Sequence, residues 1–333
     1  MDHYHHLTIG EREILYLMHG QGKNQSEIAR ELGRSRSTIS RELRRNRKKR
    51  EAYSPSRAER YYRKRRKNCG RKHILRCPEK REIIRRYIQE LHWSPEQIEK
   101  RFRLEQHPLK ISYASIYRAI HAGVFGRESR VGRKQRFSYH LRRKGKWPRK
   151  HGGTTRQGQY QKEYTIHDRP ASANKRQEIG HFEGDTMIGK RGGACLVTLV
   201  DRRSRFTLAA KSPNLSAPAV RDTMVQLLRQ VPAQRVKSVT PDRGPEFAQY
   251  QEISALLHHI PFYFADAYSP WQRGTNENTN GLLREFFPKG TDFSSVSQDD
   301  ISSFVHCLNL RPRKCLAWLS PFEVFFDCLL HLS

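Results

Sequence analysis

A chain of 333 residues with 64 Lys and Arg against 33 Asp and Glu, net charge +31, is long enough for two or more domains and selects for anionic partners. The excess is uneven: residues 1–150 hold 42 basic against 15 acidic residues, and residues 151–333 hold 22 against 18, so the first half reads as the half that binds nucleic acid, ahead of an anionic membrane surface. No apolar run reaches membrane-spanning length, the start lacks a signal peptide's pattern, and the six cysteines form no Cys-x-x-Cys pair, which excludes a spanning or disulfide-framed secreted protein and predicts a cytoplasmic one with reduced thiols.

From Leu7 to Asn46 the sequence predicts three short helices. Thr8 caps the first, whose Ile14, Leu15, Leu17 and Met18 form its inward side, and Gly20 and Gly22 stop it. Asn24 or Ser26 caps the second, with Ile28, Ala29 and Leu32 inward, and Gly33 makes the turn into a third carrying Ile39 and Leu43. Helix, glycine turn and a helix opening with small polar and basic residues is the helix-turn-helix pattern. Arg34, Ser35, Arg36, Ser37, Thr38 and Arg41 are its base-facing candidates, with Arg44 and Arg45 on phosphates.

The basic run Arg44 to Lys72, interleaved with Tyr53, Tyr61 and Tyr62, reads as an arm or helix lying on phosphates. A second helical unit follows. Ile83, Ile84, Tyr87, Ile88 and Leu91 give one amphipathic helix, Ser94 and Pro95 open the next, and Ser112, Tyr113, Ser115 and Arg118 lie at the groove-facing positions of a second helix-turn-helix. Residues 126–160, centred on Lys144-Gly-Lys-Trp-Pro-Arg-Lys-His, read as a linker on DNA. The expected division is 1–50 helix-turn-helix domain, 51–79 basic linker, 80–125 second helical domain, 126–165 basic linker, and 166–333 catalytic core with C-terminal helices.

Beyond residue 165 the pattern changes to strands. Gly180 to Gly189 puts Glu183, Asp185 and Met187 on one alternating face, and Gly192-Gly193 turns into Ala194 to Val200, which Asp201-Arg-Arg-Ser turns again into Arg205 to Ala210. A helix over Ala217 to Val231 precedes a fourth strand ending at Asp242, then come a helix over Phe247 to His259, a fifth strand from Pro261, and a helix opened by Gly274, Thr275 and Asn276 as loop end and N-cap. Glu277 stands in its first turn, with Arg284 seven residues on along nearly the same face. This order is that of an α/β, RNase H-like fold: a mixed five-stranded sheet with flanking helices, preceded by all-α helix-turn-helix domains. In it Asp185, Asp242 and Glu277 converge. Three carboxylates repel one another and require a cation; oxygen-only ligation suits Mg²⁺ or Mn²⁺, and Arg284 is placed beside the DNA end. Glu183 shares the face of Asp185, where a supporting carboxylate behind the metal is the minority reading; Asp201 reads as a salt-bridge partner for Arg202 or Arg203, Glu246 as a helix cap and Asp266 as a turn residue.

The motifs Ser37-Thr-Ile-Ser-Arg-Glu-Leu, Trp93-Ser-Pro-Glu-Gln-Ile, Gly180-His-Phe-Glu-Gly-Asp, Thr240-Pro-Asp-Arg-Gly-Pro-Glu-Phe and Trp271-Gln-Arg-Gly-Thr-Asn-Glu-Asn-Thr-Asn-Gly-Leu-Leu-Arg resemble the insertion sequence 30 family of DDE transposases over essentially the whole chain. The 34 residues between Asp242 and Glu277 fit that family's spacing, while Arg243 stands where many relatives of the wider class carry Asn. The resemblance implies recognition of terminal inverted repeats by the first half, metal-dependent 3′-end cleavage and strand transfer into target DNA, and an oligomer of at least two copies. The alternatives are a DNA-binding repressor of the element with an inactive core, and an RNase H-like nuclease of repair or replication.

Overall fold

The computed structural model describes residues 5–46, 52–69, 73–130, 133–141, 164–190, 192–266 and 269–332. The chain forms two compact units, Met1–Lys72 and His73–Ser333. The basic stretches around Lys48 and Lys144 lie outside the described residues.

The first unit holds α1 (Ile9–Gly20), α2 (Gln25–Glu31), α3 (Arg36–Asn46) and α4 (Pro55–Asn68). Thr8 with Glu11, and Asn24 with Glu27, close reciprocal capping boxes at the starts of α1 and α2, each satisfying N–H groups that a helix start leaves free. Leu15, Ile28, Ala29, Ile39 and Leu43 are the buried core. Ile14 and Leu17, expected inside, are exposed, while Leu15 is buried in the core and Met18 packs against it as expected. The segment expected as a linker contributes α4, whose Ala58 together with the preceding Tyr53 is buried in this core. Arg12, 2% exposed in its side chain, is held there by Glu42 and Glu59 at 2.8 and 2.5 Å.

The second unit opens with α5 (Pro78–Gln89), α6 (Pro95–Leu104) and α7 (Tyr113–His121). Ser94, Pro95 and Gln97 start α6 with a capping box. Ile84, Tyr87, Ile88, Trp93, Ile98, Phe102 and Ile116 fill its core, while Ile83 is exposed. A short hairpin, β1 (Arg127–Arg130) with β2 (Arg133–Arg136), lies within the stretch expected as a linker.

After β3 (Tyr164–Thr165) and α8 (Ala171–Asn174) comes the sheet: β4 (His181–Ile188), β5 (Cys195–Asp201) and β6 (Thr207–Ser212) form the expected antiparallel meander. Following α9 (Ala217–Leu228), β7 (Ser238–Thr240) adds in parallel beside β4, giving the order β6-β5-β4-β7. Next are α10 (Tyr250–Leu256) and β8 (Tyr263–Phe264). The fifth strand joins the sheet only through a parallel bridge from Phe262 to Val239, and β8 itself pairs with β3. The chain finishes with α11 (Gly274–Leu283), α12 (Gln298–Leu310) and α13 (Pro321–Phe326). This is the mixed-sheet RNase H-like arrangement, and β4 alternates as its sequence predicts. Phe182 faces the apolar layer of α9 and α10; Glu183, Asp185 and Met187 face α11, where Asn276, Asn280 and the pair Leu282 and Leu283 meet them in turn.

One buried ionic cluster ties the α5–α7 part to the end of the chain. Arg101, 1% exposed, donates to both oxygens of Glu323 in α13 at 2.9 and 2.7 Å. It also pairs with Glu105 and donates to the carbonyls of Trp318 and Leu330. Tyr87 Oη donates to Leu332 O at 3.2 Å, and Leu332 N to Glu105 at 2.9 Å. No helix among the described residues is long and apolar enough to cross a membrane.

Candidate active site

Asp185 sits on β4, and Asp242 follows β7 by two residues. Because β7 runs parallel to β4 with Thr240 opposite Glu183, the chain leaving β7 delivers Asp242 beside Asp185. Arg273, just before α11, joins them: its guanidinium lies 3.5 Å from Asp185 Oδ1 and 3.1 Å from Asp242 Oδ2, and donates to Gly184 O at 3.1 Å. Asn280 Nδ2 donates to Asp185 Oδ2 at 2.7 Å, and Gly244 N to Asp242 Oδ1 at 2.8 Å.

A third carboxylate joins the pair, and it is Glu246. Its Oε1 accepts from Thr186 Oγ1 at 2.9 Å. Burial pushes its pKa up, with Asp242 and Asp185 adding to the shift. Glu246, expected as a helix cap, lies in the short helical turn Pro245–Phe247 and reaches back to Thr186 on β4. Asp185 is likewise raised, by burial and then Asp242, against the pull of Arg273. Two acids therefore share the Arg273 guanidinium with a third close by, and the centre is short of positive charge.

Glu277, on the first turn of α11, is exposed and makes no hydrogen bond or ion pair among the described residues. It stands one turn before Asn280, which does reach Asp185. Among the described residues no group of three or more His, Cys, Asp and Glu stands at metal-holding geometry. The donor set at Asp185 and Asp242 nevertheless fits a hard divalent cation: carboxylate oxygens from β4 and from the chain leaving β7 converge on one positive group, the role Arg273 fills. Arg284 donates to the carbonyls of Ile188 at 3.0 Å and of Phe287 and Pro288 at 3.4 Å. It thus clamps the end of α11 to the end of β4, and burial lowers its pKa.

The other acids have structural partners. Glu183 is fully buried, pairs with Arg202 and accepts from Asn276 N at 2.9 Å, anchoring the start of α11 on β4. Asp201 makes no salt bridge to Arg202 or Arg203 among the described residues; it accepts from Gly180 N at 2.8 Å and from Ser204 N and Oγ at 2.7 and 2.6 Å, closing the β5–β6 turn. Asp266 binds His167, Gln272 and Arg243. Thr275 and Asn276, read as caps, are buried inside the first turn, with Thr275 Oγ1 accepting from Arg205 at 2.6 Å.

In the first unit, Arg36, Ser37, Arg41, Arg44 and Arg45 present an exposed basic face of α3 and Thr38 is partly covered. Ser35 Oγ accepts from Thr38 N at 3.3 Å, and Arg34 is bound to Glu11 at 2.9 Å, so its charge braces α1. On α7, Tyr113 and Arg118 are exposed, Ser112 is the N-cap, and Arg118 leans on Ser115 Oγ at 3.4 Å.

A helix-turn-helix domain model matches residues 3–46 and an integrase core domain model matches residues 175–270. The chain is 38% identical over 250 residues to the transposase for insertion sequence element IS1086 of Cupriavidus metallidurans, covering 74% of this chain and 72% of that one. It is 34% identical over 330 residues to the transposase InsI for insertion sequence element IS30A of Escherichia coli K12, covering 96% and 83% of the two chains. With the transposase for IS4351 of Bacteroides fragilis it shares 35% identity over 275 residues, 82% of this chain and 81% of that one. Among solved structures, the catalytic core domain of BIV integrase aligns with a TM-score of 0.36 and 17% identity, covering 45% of this chain and 95% of that chain. With a helix-turn-helix unit, an integrase-type core and relatives 34 to 38% identical over 74 to 96% of its length, the chain belongs to the IS30 family of insertion-sequence transposases.

Proposed function

We propose that this chain binds the terminal inverted repeats of its insertion sequence and catalyses 3′-end cleavage and strand transfer, in the cytoplasm, as an assembly of at least two copies. The observation that carries the reading is the pair Asp185 and Asp242 held on one guanidinium at 3.5 and 3.1 Å. Asp185, Asp242 and Glu277 are assigned to hold Mg²⁺ or Mn²⁺. Such an ion, when bound, makes an attacking hydroxyl more acidic and offsets charge on the leaving oxygen.

The protein's own groups prepare that site. Asn280 fixes the rotamer of Asp185, and Gly244 N fixes that of Asp242. Arg273 offsets their repulsion and, lying at the site's edge, is placed to turn to a phosphate oxygen. Glu277 stands one turn before Asn280, on the helix that already reaches Asp185. Arg284 is assigned to the DNA end, which it reaches by giving up its carbonyl partners. Arg36, Ser37, Thr38 and Arg41 read bases, with Arg34, Ser35, Arg44 and Arg45 on the backbone and Ser112, Tyr113, Ser115 and Arg118 on a second stretch of duplex.

The test is cleavage of a labelled duplex carrying the element's terminal repeat, with Mg²⁺, Mn²⁺ or EDTA, for wild type and Glu277→Gln. Metal-dependent nicks at the repeat boundary that vanish in the variant are expected. Tight, salt-sensitive binding without cleavage by either protein would replace this reading with the repressor.

A further inference from the structure

Trp271 is 74% exposed, whereas the next most exposed large aromatic among the described residues, Tyr16, is 47% exposed. An indole is the side chain with most to gain from burial, so one held in water beside a reaction centre calls for a partner. Its exposure is built in by its neighbours. Gln272 is fixed on Asp266, through Asp266 N to Oε1 and Nε2 to Oδ2, both at 2.8 Å, and Gln272 N donates to Ser269 O at 3.1 Å. Arg273 is fixed on Asp185 and Asp242. With the two following residues pinned to the site, Trp271 is turned outward from the short helical turn Pro270–Arg273.

We propose that Trp271 stacks on the base next to the scissile phosphate and holds the DNA end unpaired while it is cut. Three features favour a base over an apolar protein surface. Trp271 shares the short turn Pro270–Arg273 with the residue whose guanidinium joins both aspartates, which sets its chain position beside the pair. Apart from Pro270, its chain neighbours Ser269, Gln272 and Arg273 are polar or charged, which suits a nucleotide and ill suits an apolar partner. And stacking accepts any base, as an end-holding residue must. The proposal deepens the transposase reading and rests on it.

The test compares wild type, Trp271→Ala and Trp271→Phe on two labelled terminal-repeat duplexes, one fully paired and one with a single mismatch at the boundary base pair. Expected is a loss of about tenfold or more for Trp271→Ala on the paired end, most activity kept by Trp271→Phe, and recovery of Trp271→Ala on the mismatched end. Affinity for the repeat should be unchanged, since recognition lies in the helical domains. Equal loss on both duplexes, no loss on either, or a change in oligomeric state without DNA would each overturn it. If wild type cuts neither duplex, the transposase reading fails; if wild type cuts and Trp271→Ala cuts equally well, only the stacking role fails.

Discussion

Arg101 and Arg273 each set one guanidinium against two carboxylates, and the two places settle oppositely. Arg101 is enclosed, and its donors are met by Glu105, by both oxygens of Glu323 and by two carbonyls. Burial pushes Glu323 up, but Arg101 and the amides of Ser320 and Leu330 outweigh it, and its pKa is lowered. Arg273 faces Asp185 and Asp242 at the edge of the sheet with Glu246 close behind. There the net effect on Asp185 is upward. The first cluster is saturated with donors and is finished as folded; the second has more acid than base and stays in want of a cation. Similar residue types thus make a rivet in one place and a receptor for positive charge in the other.

Removing one charged member from each cluster should break that comparison most sharply. Asp242→Asn should fold normally by circular dichroism and lose cleavage of the labelled terminal repeat by more than about 10²-fold, while repeat binding is kept. Arg101→Met, which strands Glu323 and Glu105 inside, should cost about 3–5 kcal/mol in urea unfolding. Arg273→Met should cost less than that, because Asp185 and Asp242 keep 23 and 19% of their side chains exposed where Glu323 keeps none; its thermal midpoint should rise more on adding Mn²⁺ than that of wild type, since the ion no longer competes with a resident cation. The smallest effect is in pH. With its folded pKa below the ordinary 4.5, Glu323 contributes stability that is present above that value and lost as pH falls through the folded pKa. Unfolding free energy measured from neutral pH downward should decline over that range, and less steeply in Glu323→Gln.

The aspartates were legible in the sequence because they depend on local rules. Alternation along one strand fixes which face Asp185 shares with Glu183 and Met187, and a strand's C-terminal end fixes where Asp242 emerges. Glu246 was not legible: its place depends on a turn that folds Gly244 onto Asp242, so a residue that looks like a helix opener reaches back to Thr186. Thr275 and Asn276 misled for a similar reason. Their types suit a cap, but Glu183 and Arg205 draw them inside. The basic run after Asn46 was read by charge alone, and charge hid the buried Tyr53 and Ala58 that make α4 part of a core. Arg101 and Glu323 lie 222 residues apart, a pairing no periodicity announces.

That pairing also sets an order in time. Synthesis runs from the first residue onward, so α1 to α7 leave the ribosome before Ser320 to Leu332 exist. Until then Arg101 has Glu105 but neither Glu323 nor Leu330, and Tyr87 lacks Leu332. A nascent chain therefore carries α5 to α7 without the closing rivet. The α5–α7 part is locked to α13 only once Ser320 to Leu332 have been made, so the two parts of this unit are joined late in synthesis.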